Sequence, residues 1–150
     1  MLGPETYARR ELSEVCYLVI HHSGADVDSS ALEIAEWHVL APEAGLFWPG
    51  IGYHYLVHWD GSIDYVGDLA TVRYNVAGRN RECVGICLPG LFNKRNPAAA
   101  QLAGTRCLIL HLLTIFPTAQ VVGHGDIALP GHETSCCGET PRQWLPALAG

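Results

Sequence analysis

The sequence predicts an α/β fold: one domain over residues 1–150, with a central mixed β-sheet flanked by helices and chemistry-bearing side chains at the strand ends. Three observations carry this expectation. Short apolar runs of strand-forming residues alternate with stretches of helical periodicity, the pattern of a sheet covered by helices. Two of the strand runs are joined by Asp60-Gly61, a hairpin signal that makes the sheet mixed rather than wholly parallel. The 150 residues are 49% hydrophobic and 16% charged, enough apolar surface for a single core and too much for a disordered chain.

The elements follow in order. Residues 16–20, Cys-Tyr-Leu-Val-Ile, form a continuous apolar run suited to a buried central strand, and the run ends at His21-His22-Ser23-Gly24. Ser30 with Glu33 three residues later makes a capping box, which predicts a helix over 30–40 with Leu32, Ala35, Val39 and Leu40 at helical spacing. Pro42, Gly45, Pro49, Gly50 and Gly52 interrupt that pattern and make a loop carrying Phe47-Trp48. Residues 53–59 and 62–66 read as a hairpin around a type I′ turn at Asp60-Gly61. A period of two sets Tyr53, Tyr55, Val57 and Trp59 on one face and His54, Leu56 and His58 on the other.

Cys83 to Leu88 is a further strand run. Asn96 as cap and Pro97 in the first turn begin the longest helix, which stacks Leu102, Ile109, Leu113 and Phe116 and stops before Pro117. Residues 120–122, Gln-Val-Val, make a last short strand ending at Gly123-His124, and a helical turn is expected from Pro141 to Leu148. No internal repeat, low-complexity block or Ser/Gly linker divides the chain.

Composition narrows the function classes. Fifteen acidic against nine basic side chains give a net charge of −6, and no basic run exceeds Arg9-Arg10, so a nucleic-acid partner is not expected. No apolar stretch is long enough to cross a bilayer, and the first fifteen residues carry charges where a signal peptide needs its apolar segment. A soluble monomer made in the cytoplasm is the expectation. The chain has six Cys and eight His against one Met and one Lys. In a reducing compartment such cysteines are reduced, buried or metal-bound rather than paired in disulfides. Cys16, Cys83 and Cys107 sit in apolar segments and read as small core residues, and His111 as a partly buried helix residue.

His21 and His124 each follow a strand, and Cys136 comes twelve residues after the second. Two imidazoles and a thiolate form a three-ligand zinc set that leaves one tetrahedral position for water, the mark of a catalytic rather than a structural site. On residues alone a histidine beside a strand is more often a hydrogen-bonded polar group than a ligand, and Tyr53 reads as an ordinary hairpin aromatic. His22, His54 and His58 read as hydrogen-bonded residues rather than ligands. Asp126 either orients the His124 imidazole or turns its loop. Phe47 and Trp48 either line a groove or pack back on the core.

Five blocks in order change the weight of these readings: YLVIHHSG, GIGYHYLVHWDGSIDYVG, NVAGRNRECVGICLPG, VVGHGDIA and ETSCCG. Together they resemble the type 2 N-acetylmuramoyl-L-alanine amidases, the group of phage endolysins and peptidoglycan recognition proteins, over about residues 15–138. The resemblance implies a zinc amidase that cleaves the bond between N-acetylmuramic acid and L-alanine in peptidoglycan, acting on the bacterial cell wall, with a phage or prophage endolysin as the setting. It implies His21, His124 and Cys136 as the Zn2+ ligands, Tyr53 as the tyrosine held over the metal, and Thr134 in the position taken by Lys or Thr in the family. Tyr53 and Thr134 are thereby the expected catalytic residues.

Two departures bear on the third ligand. The family's Cys-Pro-Gly is here Cys136-Cys137-Gly138, and the gap from His124 is longer than usual, so His132 and Cys137 stay open as alternatives. Cys87 occupies a strand position where the muropeptide-recycling relatives carry Glu, which sets this chain with the endolysin and recognition-protein branch. Two rival readings remain. One is a peptidoglycan-binding module without catalysis, although the non-enzymes of the family commonly lack the cysteine that Cys136 supplies. The other is a structural zinc domain with both Cys136 and Cys137 as ligands and no open position.

Overall fold

A computed structural model describes residues 6–40 and 47–150. Its five-stranded sheet has the order β3-β2-β4-β1-β5, with β1 Tyr17–His22, β2 Tyr55–Val57, β3 Ile63–Tyr65, β4 Cys83–Leu88 and β5 Gln120–Gly123. β1 lies between β4 and β5 and pairs parallel with both, β2 pairs parallel with β4, and only the hairpin partner β3 is antiparallel. The expected mixed sheet is present. β1 and β4 are apolar without alternation because both of their faces are covered, the signature of a central parallel strand.

Two helices cover the sheet. α1, Ala31–Leu40, starts where the capping box places it: the Glu33 amide donates to Ser30 Oγ at 3.2 Å, and the Ser30 amide donates to Glu33 Oε2 at 2.8 Å. Its buried face is Ile34 flanked by Ala31 and Ala35, while Leu32 and Leu40 point to solvent at 68% exposure each. The spacing predicts the helix, but of the expected stripe only Ala35 packs on the β2 and β4 cluster, beside Ile34 and Ala31 in place of Leu32 and Leu40. α2, Ala99–Ile115, begins three residues after Asn96 rather than at it, with Pro97 lying before the helix. Its buried stripe is Gln101, Thr105, Leu108, Ile109 and Leu112, with Leu102 and Leu113 at the margin. The buried Gln101 amide donates to the carbonyls of Val57 and Pro89, at 2.9 and 3.0 Å, tying α2 to the ends of β2 and β4. α3, His124–Ile127, follows β5 directly, and α4, Pro141–Trp144, leads into a 3-10 turn, Leu145–Leu148, against the core.

The hairpin departs from its expected form. Among the described residues every positive φ belongs to glycine, so Asp60 does not adopt the left-handed conformation that a type I′ turn demands of both central residues. Only Gly61 does, at φ 85°, with its amide donating to the His58 carbonyl at 2.9 Å. The connection is the longer loop that ends in a left-handed glycine. A Cβ at Gly61 would also lie 2.6 Å from the Ala100 carbonyl oxygen, so the turn and the start of α2 both need glycine there. Because β2 begins only at Tyr55, the period of two does not reach back to Tyr53. That side chain packs with Leu56 and Cys87 rather than with Tyr55 and Val57.

Other expectations are corrected by burial. Cys83 is a core residue, but Cys16 and Cys107 are exposed, and so is His111. All six cysteines are free thiols. Pro42 and Gly45 lie outside the described residues; Phe47 is exposed, whereas Trp48 is partly buried.

Polar anchors hold the connections. The Arg10 guanidinium is buried and donates to the carbonyls of Leu69, Arg81 and Cys83 at 3.0, 2.8 and 2.7 Å, clamping both ends of the loop between β3 and β4. Its pKa falls to about 10, chiefly by desolvation, so it stays cationic. His54 accepts from the Gly85 amide at Nδ1, 3.1 Å, and its Nε2 meets the Thr71 carbonyl at 3.0 Å. His58 bridges two carboxylates, with Nδ1 2.8 Å from Asp28 and Nε2 2.9 Å from Asp64. Desolvation pulls the His58 pKa down, but the hydrogen bonds and charges of Asp64 and Asp28 outweigh it and leave it raised.

A raised histidine stabilises the folded state below its unfolded value, near 6.5, and that contribution is lost as pH rises through the folded value. The gap in Tm between the native chain and His58→Gln is therefore expected to be wider at about pH 5.5 than at about pH 9. Thermal melts of both proteins at the two pH values measure it; an equal gap at both would show that the bridge carries no charge.

Candidate functional site

The site forms where β1 and β5 end together. The register sets Ile20 opposite Gly123, so the next residues, His21 and His124, emerge side by side with ring centroids 4.8 Å apart. Cys136 arrives from the loop after α3. Its Sγ lies 3.7 Å from His21 Nδ1 and accepts the His22 backbone amide at 3.4 Å. Two further hydrogen bonds pin this loop: the Gly125 amide to the Cys136 carbonyl at 3.0 Å, and the Cys136 amide to Thr134 Oγ1 at 3.1 Å. Farther along, the Glu139 and Thr140 amides both donate to the Phe92 carbonyl. A Cβ at Gly138, φ 88°, would collide with the Phe92 backbone, so this crossing is closed to any other residue.

Among the described residues, His21, His124 and Cys136 form a group that could hold a metal ion, their ligating atoms lying within 4.8 Å of one another. Electrostatics suit the role. Burial, then the neighbouring His124, hold the His21 pKa well below its ordinary value, and burial lowers His124 too, so both imidazoles are neutral with a free lone pair. The hydrogen bond with Cys137, then burial, hold the Cys136 thiol above its usual range; its proton leaves when a cation arrives.

The two alternatives for the third position fall elsewhere. His132 is exposed on the rim of a neighbouring groove, and Cys137, 2% exposed, joins the core cluster beside Trp144 and Leu148, outside the group of three. Asp126 Oδ2 accepts the Gly123 amide at 2.9 Å, so of its two open roles it takes the turning of the loop.

Tyr53 stands against the same group, its ring centroid 5.0 Å from that of His21. Burial, followed by the thiols of Cys87 and Cys136, raises its pKa well above the ordinary value and keeps it a proton donor. His38, Trp48 and Tyr74 back it: the His38 ring lies 5.4 Å from Tyr53 and 4.6 Å from Trp48, and the Trp48 ring 5.7 Å from Tyr74. Trp48 lines a groove of about 550 Å³ with Tyr74, Asn80, His124 and His132. A second cavity, about 400 Å³, lies along Asp126, Thr134, Cys136, Glu139 and Arg142. Thr134 is thus near Cys136, but its hydroxyl oxygen is engaged by that residue's amide. His22, His54 and His58 keep out of the group, each with hydrogen-bond partners of its own.

Two residues of the site went unread in the sequence. His38 accepts the Gly52 amide at Nδ1, 2.9 Å, a contact between α1 and the Gly-rich segment that no local pattern encodes. Asn75 meets His21 across 54 residues; its place within the NVAG block was the single available signal.

The chain compares with known proteins as follows. The profile of the N-acetylmuramoyl-L-alanine amidase family matches residues 11–139. The endolysin of Klebsiella phage KP32 is 33% identical over 127 residues, covering 80% of this chain and 79% of that protein. Among solved structures, the Ph2119 endolysin from a Thermus scotoductus bacteriophage superposes with a TM-score of 0.82 at 25% identity, over 96% of this chain and 90% of that one. Peptidoglycan recognition protein-LE, solved in complex with tracheal cytotoxin, shares the fold, with a TM-score of 0.78 at 22% identity over 100% of this chain and 88% of that one.

The two adjacent cysteines separate by substitution. Cys136→Ala is expected to abolish stoichiometric metal uptake, while Cys137→Ala keeps it and costs about 1 kcal/mol of stability from the core. Metal content by atomic emission and a denaturant titration of each variant distinguish the two roles.

Proposed function

Because the chain belongs to the N-acetylmuramoyl-L-alanine amidase family and is a peptidoglycan amidase of the endolysin type, we propose that it hydrolyses the amide between N-acetylmuramic acid and L-alanine at the His21–His124–Cys136 group, with Zn2+ bound there. The observation that carries this reading is the convergence of those three donors and Tyr53 at one point beside an open groove. The donor set fits zinc. Two neutral imidazoles and a thiol are borderline-soft ligands, and three protein donors leave a fourth position free, which separates this arrangement from a closed structural site.

When bound, zinc supplies a Lewis acid for the scissile carbonyl and lowers the pKa of a water from about 15.7 toward 7. The chain does the rest. His21 and His124 stay neutral because they are buried beside one another, so neither needs to lose a proton before binding. Tyr53 keeps its proton and donates a hydrogen bond from its phenol to the oxygen of the scissile carbonyl as negative charge develops there. Thr134 Oγ1 accepts from the Cys136 amide, and its own O–H donates a hydrogen bond toward the departing amine, which takes its proton from the attacking water. Trp48 and Tyr74 give the groove apolar faces suited to sugar rings, and Asn80 and His132 give it polar groups suited to the peptide stem.

The substrate is the peptidoglycan of the bacterial cell wall. Among the described residues no helix is long and apolar enough to cross a membrane. The site favours the enzyme over the binding-only reading, because the thiol that non-enzymes of the family commonly lack is present, 3.7 Å from His21 Nδ1.

Digestion of purified peptidoglycan followed by mass spectrometry is expected to release peptides with a free L-alanine N-terminus from intact glycan; cleaved sugar bonds or an inert digest would overturn the reading. His21→Ala and His124→Ala should each lose both metal and activity. Tyr53→Phe is expected to keep its zinc while kcat drops by about 10²- to 10³-fold, the usual cost of one oxyanion donor, measured as the rate of peptide release.

A further inference from the structure

The loop between β3 and β4 carries one side chain that reaches a member of the metal-binding group without belonging to it. Asn75, 8% exposed, places Oδ1 3.3 Å from His21 Nε2. The direction of that hydrogen bond follows from the other end of the amide. Asn75 Nδ2 donates to the Arg73 carbonyl at 3.2 Å, and rotating the amide by half a turn would set oxygen against oxygen there. Oδ1 is therefore the atom that faces His21. An amide oxygen only accepts, so His21 must carry its proton on Nε2. The remaining nitrogen, Nδ1, then bears the lone pair, and it is Nδ1 that lies 3.7 Å from Cys136 Sγ.

The arrangement is built rather than incidental. Asn80 Oδ1 accepts both the Asn75 and the Val76 amides at 2.8 Å, which fixes the backbone from which Asn75 projects. Arg10 clamps the ends of the same loop. On the sheet below, Gly85 of β4 leaves the space that the amide occupies: a Cβ there would lie 2.8 Å from Asn75 Cγ. A buried asparagine with its amide satisfied on both sides has a single orientation, and it transmits that orientation to the imidazole.

We propose that Asn75 is the positioning residue of His21: it locks the Nε2–H tautomer and the ring orientation, so that Nδ1 is presented to the metal. The inference rests on the reading of His21 as a zinc ligand and adds which nitrogen binds and what selects it. Partners of this kind outside the ligand set change metal affinity about 10- to 100-fold when removed.

Two measurements test it. Nitrogen-15 NMR of the metal-free wild-type protein should show His21 as the neutral Nε2–H tautomer; an Nδ1–H tautomer overturns the proposal. Zinc affinity, read by competition with a chromogenic chelator, should weaken about 10- to 100-fold in Asn75→Leu, whereas Asn75→Asp, which keeps the acceptor, binds no more weakly than wild type. Gly85→Ala, which crowds the amide without touching a ligand, should weaken binding in the same direction. A folded Asn75→Leu with wild-type affinity, or an Asn75→Asp as weak as Asn75→Leu, overturns the proposal. Should Asn75→Leu fail to fold, Asn75→Asp, Gly85→Ala and the tautomer still decide. A wild-type chain that takes up no zinc overturns the proposed function and this inference with it. Stoichiometric zinc with the wrong tautomer overturns this inference alone.

Discussion

Parallel pairing of β1 with β5 sets Ile20 opposite Gly123, and the residues that follow, His21 and His124, therefore leave the sheet at the same level with their rings 4.8 Å apart. The strands come from positions about a hundred residues apart, and no local force brings them together. What does is the burial of both faces of β1: Leu18 and Ile20 in the larger core cluster, Val19 on the opposite side. With β4 on its other edge, β1 cannot slip by one residue without exchanging the two faces, so the register that serves the core also serves the site.

The third donor depends on a different kind of constraint. Cys136 sits in an irregular loop, and its position comes from a series of hydrogen bonds: the His22 amide donates to its sulfur, the Gly125 amide to its carbonyl, and its own amide to Thr134 Oγ1. Two of these amides belong to β1 and α3 and the third to the loop itself, so the thiol is placed by tying the loop to the elements that carry the histidines. The same burial explains the electrostatics. It lowers both histidines and raises Tyr53, while the hydrogen bond with Cys137, then burial, raises the Cys136 thiol, leaving every group neutral.

Asn75, Gly85 and Arg10 extend this logic outward. The buried guanidinium closes the loop, the missing side chain at Gly85 makes room, and the amide between them faces the imidazole. Each alone reads as a structural detail. Joined, they hold one amide in place between the interior strand β4 and one imidazole.

Much was legible in the chain because it is local. The apolar runs of β1 and β4, the Ser30–Glu33 box and the histidines at strand ends are statements about neighbours in sequence, and backbone sterics and hydrogen bonding act at that range. Which stripe of a helix faces inward is not local: Leu32 and Leu40 lie outside because β2 and β4 receive Ile34, and Cys107 and His111 lie outside because the core receives Thr105, Leu108, Ile109 and Leu112 of α2. The side of Tyr53 changed because the strand began two residues later than its pattern, and the period of two holds only within the ladder. By itself the sequence determined the strands and the two longer helices and their order, and through the resemblance it carries it named His21, His124 and Cys136 as candidate ligands. Only the tertiary structure decided that Cys136 rather than Cys137 or His132 joins the two histidines, and that Asn75 stands behind them. Those choices depend on distances across 54 to 115 residues, which are set by the packing of the whole core.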